Sequence, residues 1–252
     1  MPFFQQLLIL CPLIFLAGFV DSIAGGGGLI SLPAHYLAGL PPHTALGTNK
    51  MSSCIGTTFS TGTYLRGGYV YKPLIPISVA GALTGSWIGA RSVLLLDEQI
   101  LRWIMVIAIP VLTVVILFKK DLLSPETREV KPVREQTITA VIALTIGWYD
   151  GFFGPGAGTF FLLAFIGILK LDAVTANGNA KILNLCSNIA AVAVFATGGM
   201  INYALALPCA VFSILGNTLG ARLTIKNGAK IIRPVMLVVV VILLATIARD
   251  LF

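Results

Sequence analysis

Charged residues are scarce in this chain. Only 11% of its 252 residues are Asp, Glu, Lys or Arg, while 57% are hydrophobic and the mean hydropathy is +0.94. A soluble globule of this size needs more polar surface than such a composition supplies. The shortage of charge therefore predicts an integral membrane protein. The net charge of +7 is then expected to set membrane orientation through cationic loops, and we expect no binding of nucleic acid.

Motifs of metal sites, disulfides and common enzymes are also missing. The four cysteines, Cys11, Cys54, Cys186 and Cys209, form no CxxC motif and lie in apolar sequence, where a free thiol behaves as a small hydrophobic group. The chain has no HExxH motif, no nucleophile elbow and no Walker A sequence, which argues against an enzyme and against an ATP-driven pump. We expect no disulfide, no metal ion and no cofactor.

Long apolar runs dominate what is present. They approach the roughly 20 residues that an α-helix needs to cross a membrane, and they do not alternate as strands of a membrane barrel would. The runs lie at 73–90, 99–118, 138–149, 203–221 and 231–248. The N-terminal apolar stretch lacks a preceding Lys or Arg and a small-residue cleavage site, so we expect it in the mature fold. The sequence predicts an all-α, multi-pass membrane protein.

The chain repeats itself. "TALGTNK" returns as "TANGNAK" and "GSWIGAR" as "GNTLGAR", both at an offset of 131 residues, and "GFVDSIAGGGG" matches "GWYDGFFGPGA" at an offset of 129. Such self-similarity indicates two homologous repeats. We predict a first membrane repeat at 1–120, a polar cytoplasmic linker at 121–135 and a second membrane repeat at 136–252. Internal repeats are common in secondary transporters, which bind substrate between them.

Each repeat starts with a glycine-rich element that has two possible paths. If it crosses the membrane once as a broken helix, the repeats are parallel. If it returns as a re-entrant hairpin of half-helices, at about 7–20 and 29–39 in the first copy, the repeats are inverted. The hairpin arrangement places most of the 17 Lys and Arg residues on one side, as the positive-inside rule requires. It is therefore the favoured prediction.

Three ordinary spans are predicted to follow the glycine-rich element in each repeat. They lie at 45–65, 73–90 and 99–118, and at 175–197, 203–221 and 231–248. The first span of each set is rich in Ser, Thr or Asn, so its polar face should line a cavity or pack on other helices.

The glycines are candidates for an anion site. At a hairpin tip the backbone must turn inside the membrane, and glycine permits the turn and a close approach by a ligand. The helix after such a turn begins with free N–H groups and the positive end of its dipole. The alternative is that the glycines only allow tight helix packing. The candidates are Gly25, Gly26, Gly27 and Gly28 in the first copy, and Gly154, Gly156 and Gly158 in the second.

Matched charged residues accompany the glycines. Asp21 and Asp150 are expected either to cap the hairpin turn or to handle a coupling proton, since burial favours the neutral acid. Lys50 and Lys181 are expected either to bind an anion or to extend toward the lipid headgroups. The polar neighbours that complete the candidate binding site are Asn49, Ser53, Asn179 and Asn184. His35 and His43 have no counterpart in the second copy and are treated as local features.

Together, "GFVDSIAGGGGLISLP", "TALGTNK", "GWYDGFFGPGAGTFF" and "GARLTIKNGAKIIRP" resemble the TauE/SafE family, also called the sulfite exporter or 4-toluene sulfonate uptake permease family. The resemblance covers nearly the whole chain. It implies a permease for small, mostly sulfur-containing anions such as sulfite, sulfoacetate or organosulfonates, coupled to a proton or other ion.

The expected partners are thus a small anion, the lipid bilayer and a coupling ion. The two glycine runs differ, so the two half-sites are not expected to contribute equally. One alternative to a transporter is a non-transporting membrane subunit or receptor, in which the Gly and Asp motifs are structural. An intramembrane enzyme is a second alternative.

Overall fold

The fold is helical throughout the part of the chain that the computed structural model describes, residues 1–101, 103, 104, 132–228, 230–232, 234 and 235. The helices are α1 (Phe3–Ala24), α2 (Gly28–Leu37), α3 (Pro42–Arg66), α4 (Ile75–Leu94), α5 (Pro132–Phe152), α6 (Ala157–Gly167), α7 (Ala173–Thr197) and α8 (Tyr203–Asn227). A short 3₁₀ turn, Lys72–Leu74, leads into α4. No strand occurs within these residues, which confirms the all-α prediction.

Four of these segments are long and apolar enough to cross a membrane, namely α1, the stretch Lys72–Leu94, α7 and α8. The spans predicted at 99–118 and 231–248 lie largely outside the described residues, as does the linker up to residue 131. The end of the predicted linker is instead helical, because α5 begins at Pro132, and proline is favoured in the first turn of a helix.

Both glycine-rich elements are hairpins. Gln6, near the start of α1, donates through Nε2 to the carbonyl of Ala38, just after α2, at 2.9 Å, so α2 runs back along α1. In the second half the ring of Tyr149 on α5 lies 5.7 Å from that of Phe160 on α6, which a straight continuation across the turn would not allow. The broken-span path is therefore ruled out for these elements.

The first arm of each hairpin is longer than a half-helix. α1 has 22 residues, about 33 Å of helix, whereas the ten residues of α2 give about 15 Å. The first arm was predicted at about 7–20, but the helix runs from Phe3 to Ala24 and includes Asp21, so this boundary was wrong.

Helices that match in sequence run in opposite directions. Gly47, near the start of α3, lies against Phe195, near the end of α7. Thr61, near the end of α3, donates to the carbonyl of Lys181, near the start of α7, at 3.2 Å. α3 and α7 are therefore antiparallel, although their sequences match in the same direction. Inverted repeats require this geometry.

Small residues bring each half into close contact with the other. Matched glycines of α4 and α8 lie against the backbones of matched residues in α5 and α1. The contacts are Gly85 with Leu144 and Gly89 with Trp148, and correspondingly Gly216 with Phe15 and Gly220 with Phe19. The residue numbers of the matched glycines differ by 131, and those of the residues that they contact differ by 129. These are the same offsets as those of the repeated sequence motifs. Common ancestry of the halves stays a prediction that these contacts support.

The side of α8 that faces outward is apolar. Leu207, Val211, Leu215 and Leu219 are each at least half exposed, and their spacing of four residues places them along one stripe of the helix. By contrast, the polar face of α3, with Thr48, Ser52, Thr57, Ser60 and Thr61, is buried. Apolar outside and polar inside is the arrangement of a membrane helix bundle. The predicted inward orientation holds for Ser52, Thr57, Ser60 and Thr61, whereas Thr58, which was also predicted to face inward, is exposed.

Candidate functional site

The two hairpin tips meet in the middle of the bundle. A Cβ atom at Gly28 would lie 3.0 Å from Cα of Pro155, and one at Gly158 would lie 3.2 Å from Cα of Gly25. A side chain at Gly25 would also collide with the backbone N of Thr159. Tight packing of the tips is thus one established reason for glycine here, above all at Gly25.

Two ion pairs connect the halves crosswise. Lys50 Nζ on α3 lies 2.6 Å from Asp150 Oδ1 on α5, and Lys181 Nζ on α7 lies 2.6 Å from Asp21 Oδ2 on α1. Each pair joins a helix of one half to the hairpin of the other. Both lysines are buried, with exposures of 3% and 0%, so neither extends to the lipid headgroups. The sequence placed these four residues in one site but did not pair them.

The glycines let the tips approach these charges. A Cβ at Gly154 would lie 3.0 Å from Lys50 Nζ and 3.1 Å from Asp150 Oδ1, and one at Gly158 would lie 3.4 Å from Asp21 Oδ1. Asp21 also accepts a hydrogen bond from the N–H of Gly27 at 3.3 Å. Asp21 therefore combines the predicted cap with an ion pair.

A cavity of about 40 Å³ lies between the tips, which corresponds to room for about three water molecules. The predicted residues that line it are Asp21, Gly26, Gly27, Gly28, Asn49, Lys50, Ser53, Asp150, Gly154, Gly156, Gly158 and Asn184. Gly25, Asn179 and Lys181 do not line it. Asn179 donates instead to the carbonyl of Thr175 in its own helix at 2.8 Å. Lys181 is separated from the cavity and forms its ion pair with Asp21, which does line it.

Several hydrogen-bonding groups of the lining have no partner among the described residues. The hydroxyl of Ser31 and Oδ1 of Asn49 are buried and unpartnered. At the tips, the N–H groups of Gly26 and Gly28 make no hydrogen bond in the described ranges, whereas those of Leu29 and Ile30 bond to the carbonyls of Gly26 and Gly27. The prediction of free N–H groups is thus met by the glycines themselves and not by the first apolar residues of α2. Buried polar groups without partners are uncommon, which makes Ser31 and Asn49 candidates for contact with a ligand.

Comparison with known proteins identifies the family. The profile described as "Sulfite exporter TauE/SafE" matches residues 10–247. The chain belongs to this family. It is 34% identical to "Probable membrane transporter protein YfcA" of Escherichia coli (strain K12), over 98% of this chain and 94% of the relative. It is 35% identical to "Probable membrane transporter protein ORF9" of a Sinorhizobium species, with the same shares covered.

A third relative, "Probable membrane transporter protein" of Haemophilus influenzae, is 33% identical over 94% of this chain and 92% of its own length. No solved structure matches the chain. Family membership and the four candidate spans make the chain a multi-pass protein of the inner membrane.

In this member of the TauE/SafE family, some residues that line the cavity were not predicted from the sequence. Ser213 and Asn217 on α8 line the cavity, and Asn217 accepts from the hydroxyl of Ser60 at 3.0 Å. Asn217 stands in "GNTLGAR", whose match "GSWIGAR" carries the polar residue Ser86 at the same place. The presence of a polar residue at the same place in both copies could have identified Asn217 from the sequence. Ser31 has no polar counterpart in the second copy, so the repeat could not have identified it.

Proposed function

We propose that this TauE/SafE family transporter moves a small oxyanion through the cavity between its hairpin tips. The single observation that carries the proposal is the set of unpartnered donors at that cavity, namely the N–H groups of Gly26 and Gly28 and the hydroxyl of Ser31. Backbone N–H groups and hydroxyls are the groups that proteins use to bind compact oxyanions. The small volume favours a ligand of few atoms over a sugar or nucleotide.

Sulfur oxyanions and small organosulfonates, such as sulfite or sulfoacetate, are the proposed substrates. The family description names a sulfite exporter, and the donor set suits such ions. The unpartnered Oδ1 of Asn49 needs a donor in return. A bound water or a protonated oxygen of the substrate supplies it.

Proton coupling is proposed from the charges. The two lysines and two aspartates cancel in pairs, so the site has no net charge before substrate arrives. Adding an anion to a buried, neutral site is costly unless a positive charge accompanies it. A proton taken up by one carboxylate restores neutrality and frees a lysine ammonium for the anion.

Alternating access is proposed to arise from movement of one half against the other. The antiparallel α3 and α7 and the crossed ion pairs support two inverted repeats that meet at the substrate site. Transporters with such repeats expose a central site to each side by rocking them around it.

The test is anion flux in proteoliposomes made from the purified full chain. Uptake of sulfite, thiosulfate, sulfoacetate and acetate is compared with and without an imposed pH gradient, and protein-free liposomes are the control. We expect a sulfur oxyanion to move faster than acetate, and faster with the gradient. Binding of an anion without flux would favour the receptor alternative, and movement of a neutral or cationic solute alone would refute the anion proposal.

A further inference from the structure

The two buried carboxylates have different surroundings. Asp150 accepts from Lys50 at 2.6 Å, from the amide of Asn184 at 3.1 Å and from the hydroxyl of Ser187. Lys50 donates further to Oδ1 of Asn188 at 3.0 Å. The side chain of Asp150 is 2% exposed. Asp150 also lines the cavity, but its carboxylate is held by three side-chain donors and is almost fully buried.

Asp21 is held by fewer groups. Its side chain is 16% exposed, and its bonds are the one to Lys181 at 2.6 Å and the long one from the N–H of Gly27 at 3.3 Å. Asp21 lines the cavity directly. Among the described residues Lys181 donates its side-chain hydrogen bonds to Asp21 alone. A change at Asp21 therefore releases the whole ammonium group of Lys181.

The difference originates in the sequence of the helix that faces each aspartate. At the offset of 131, the α7 residues Asn184, Ser187 and Asn188 correspond to Ser53, Gly56 and Thr57 of α3. None of these three donates to Asp21 in the described structure. A side chain at Gly56 would collide with the hydroxyl of Ser213, so α8 occupies the space from which a matching hydroxyl would reach Asp21.

Few other ionisable groups face Asp21 from the neighbouring helices. Tyr64 of α3 donates to the carbonyl of Ser22, and Lys50 and Asp150 stand across the cavity as a closed pair. His35 of α2 is buried and its Nδ1 bonds to the carbonyl of Ser31. Arg222 and Lys226 of α8 are exposed, and α6 has no ionisable residue. Lys181 is thus the one ionisable partner in contact with Asp21 among the described residues.

We infer that Asp21, and not Asp150, carries the coupling proton, while the Lys50–Asp150 pair stays closed as a fixed link between the halves. This inference rests on the proposed function. A proton from water on one side adds to the Asp21 carboxylate and neutralises it, so that the charge of the buried Lys181 ammonium group balances the anion, which binds in the cavity. On the other side the anion leaves, the proton returns to water, and the ion pair of Asp21 with Lys181 forms again.

The experiment compares Asp21→Asn, Asp150→Asn and the control Asp97→Asn, an exposed aspartate after α4. Each is purified as the full chain, reconstituted, and assayed for sulfite flux with and without a gradient of one pH unit. A monovalent anion that moves with one proton accumulates about tenfold across that gradient. We expect accumulation near tenfold for wild type and Asp97→Asn, and near onefold for Asp21→Asn, whose remaining flux ignores the gradient.

Asp150→Asn should behave differently. Its melting temperature and yield should fall, but the protein that folds should keep a gradient-driven accumulation. Gradient-driven accumulation by Asp21→Asn, or its loss in folded Asp150→Asn alone, would overturn the inference. If the wild-type protein moves no anion at all, the proposed function itself is refuted. This result is distinguishable from a failure of the inference alone, in which wild type transports but the aspartate variants do not behave as expected.

A second measurement applies if Asp21→Asn does not fold. Asp21→Glu keeps a titratable group at the site, and its pH profile for sulfite flux should be displaced from that of wild type while the response to the gradient is retained. Addition of sulfite to weakly buffered purified protein should also take up about one proton per bound anion. An unaltered pH profile, or anion binding without proton uptake in wild type, would contradict the role of Asp21.

Discussion

The hairpin of the first half and that of the second half share a backbone path but differ in chemistry. After the first glycine turn, α2 presents Ser31 to the cavity, whereas the matched part of α6 reads Phe160, Phe161 and Leu162. Likewise Asn49 of α3 corresponds to Ala180 of α7. The unpartnered polar side chains of the cavity thus come from the first half. The comparison shows that halves with matched backbones can carry different polar groups, and under the proposed function it predicts that the first half supplies most of the side-chain contacts with the anion.

The largest expected effect tests whether the halves are inverted at all. α4 ends at one end of the bundle and its match α8 at the other, so cysteines at Asp97 and Asn227 should face opposite sides of the membrane. In a variant without native cysteines, a membrane-impermeant thiol reagent applied to intact cells should label Asp97→Cys and not Asn227→Cys. Labelling of both from outside would eliminate the inverted arrangement.

Removing the lysine should lower the free energy of unfolding more in the Lys50–Asp150 pair than in the Lys181–Asp21 pair. Lys50→Met leaves Asp150 buried without its cation, which costs about 3–5 kcal/mol. Lys181→Met should cost less, because Asp21 has access to the cavity and can be hydrated or protonated there. Thermal unfolding of the purified proteins in detergent measures both, and the double variant Lys50→Met with Asp150→Asn should recover part of the loss. Equal losses for the two lysines would remove the asymmetry on which the inference rests.

The contact between the tips can be separated from backbone strain. Gly25 and Gly39 both have positive φ values, 75° and 84°, so alanine is strained at either site, and at Gly25, whose ψ of −171° lies in a region nearly restricted to glycine, the strain is about 1–3 kcal/mol. Only at Gly25 would the new methyl group collide with the opposite tip, since nothing lies within 4 Å of a Cβ at Gly39. Gly25→Ala should therefore have the lower melting temperature and the lower flux. Matching behaviour of the two variants would show that the tips are free to separate.

The smallest expected effect concerns the ligand groups of the first half. Ser31→Ala should raise the sulfite concentration for half-maximal flux by at least about tenfold, because a hydrogen bond to a charged group contributes about 1.5–3 kcal/mol. Asn49→Ala should raise it less, because the unpartnered Oδ1 of Asn49 accepts only from a water or a protonated oxygen of the substrate. Thr58→Ala, an exposed site on α3 whose hydroxyl bonds to its own helix, is the matched control. Unaltered half-maximal concentrations in both variants would place the anion elsewhere.

The hairpins could be predicted because their signals are local. A run of glycines in apolar sequence and a helix rich in Ser and Thr each restrict the fold without knowledge of distant contacts. The partner of Asp21 could not be predicted from local sequence, because Lys181 is 160 residues away. The ion pairs needed a global argument, that buried charges of opposite sign must find each other. Asn179 was included in the candidate site because its motif matched, and in the structure its side chain donates to the carbonyl of Thr175 in its own helix.

The crossed contacts also have a consequence for how the protein is made. When only the first half has left the ribosome, Asp21 and Lys50 are already in the membrane and neither partner has been synthesised. An unpaired charge in hydrocarbon costs several kcal/mol, so we expect the first half to insert completely only after α5 and α7 have been synthesised. Residues 1–120 produced alone should therefore be degraded, and co-production of 121–252 should rescue them, as immunoblots of membrane fractions would show.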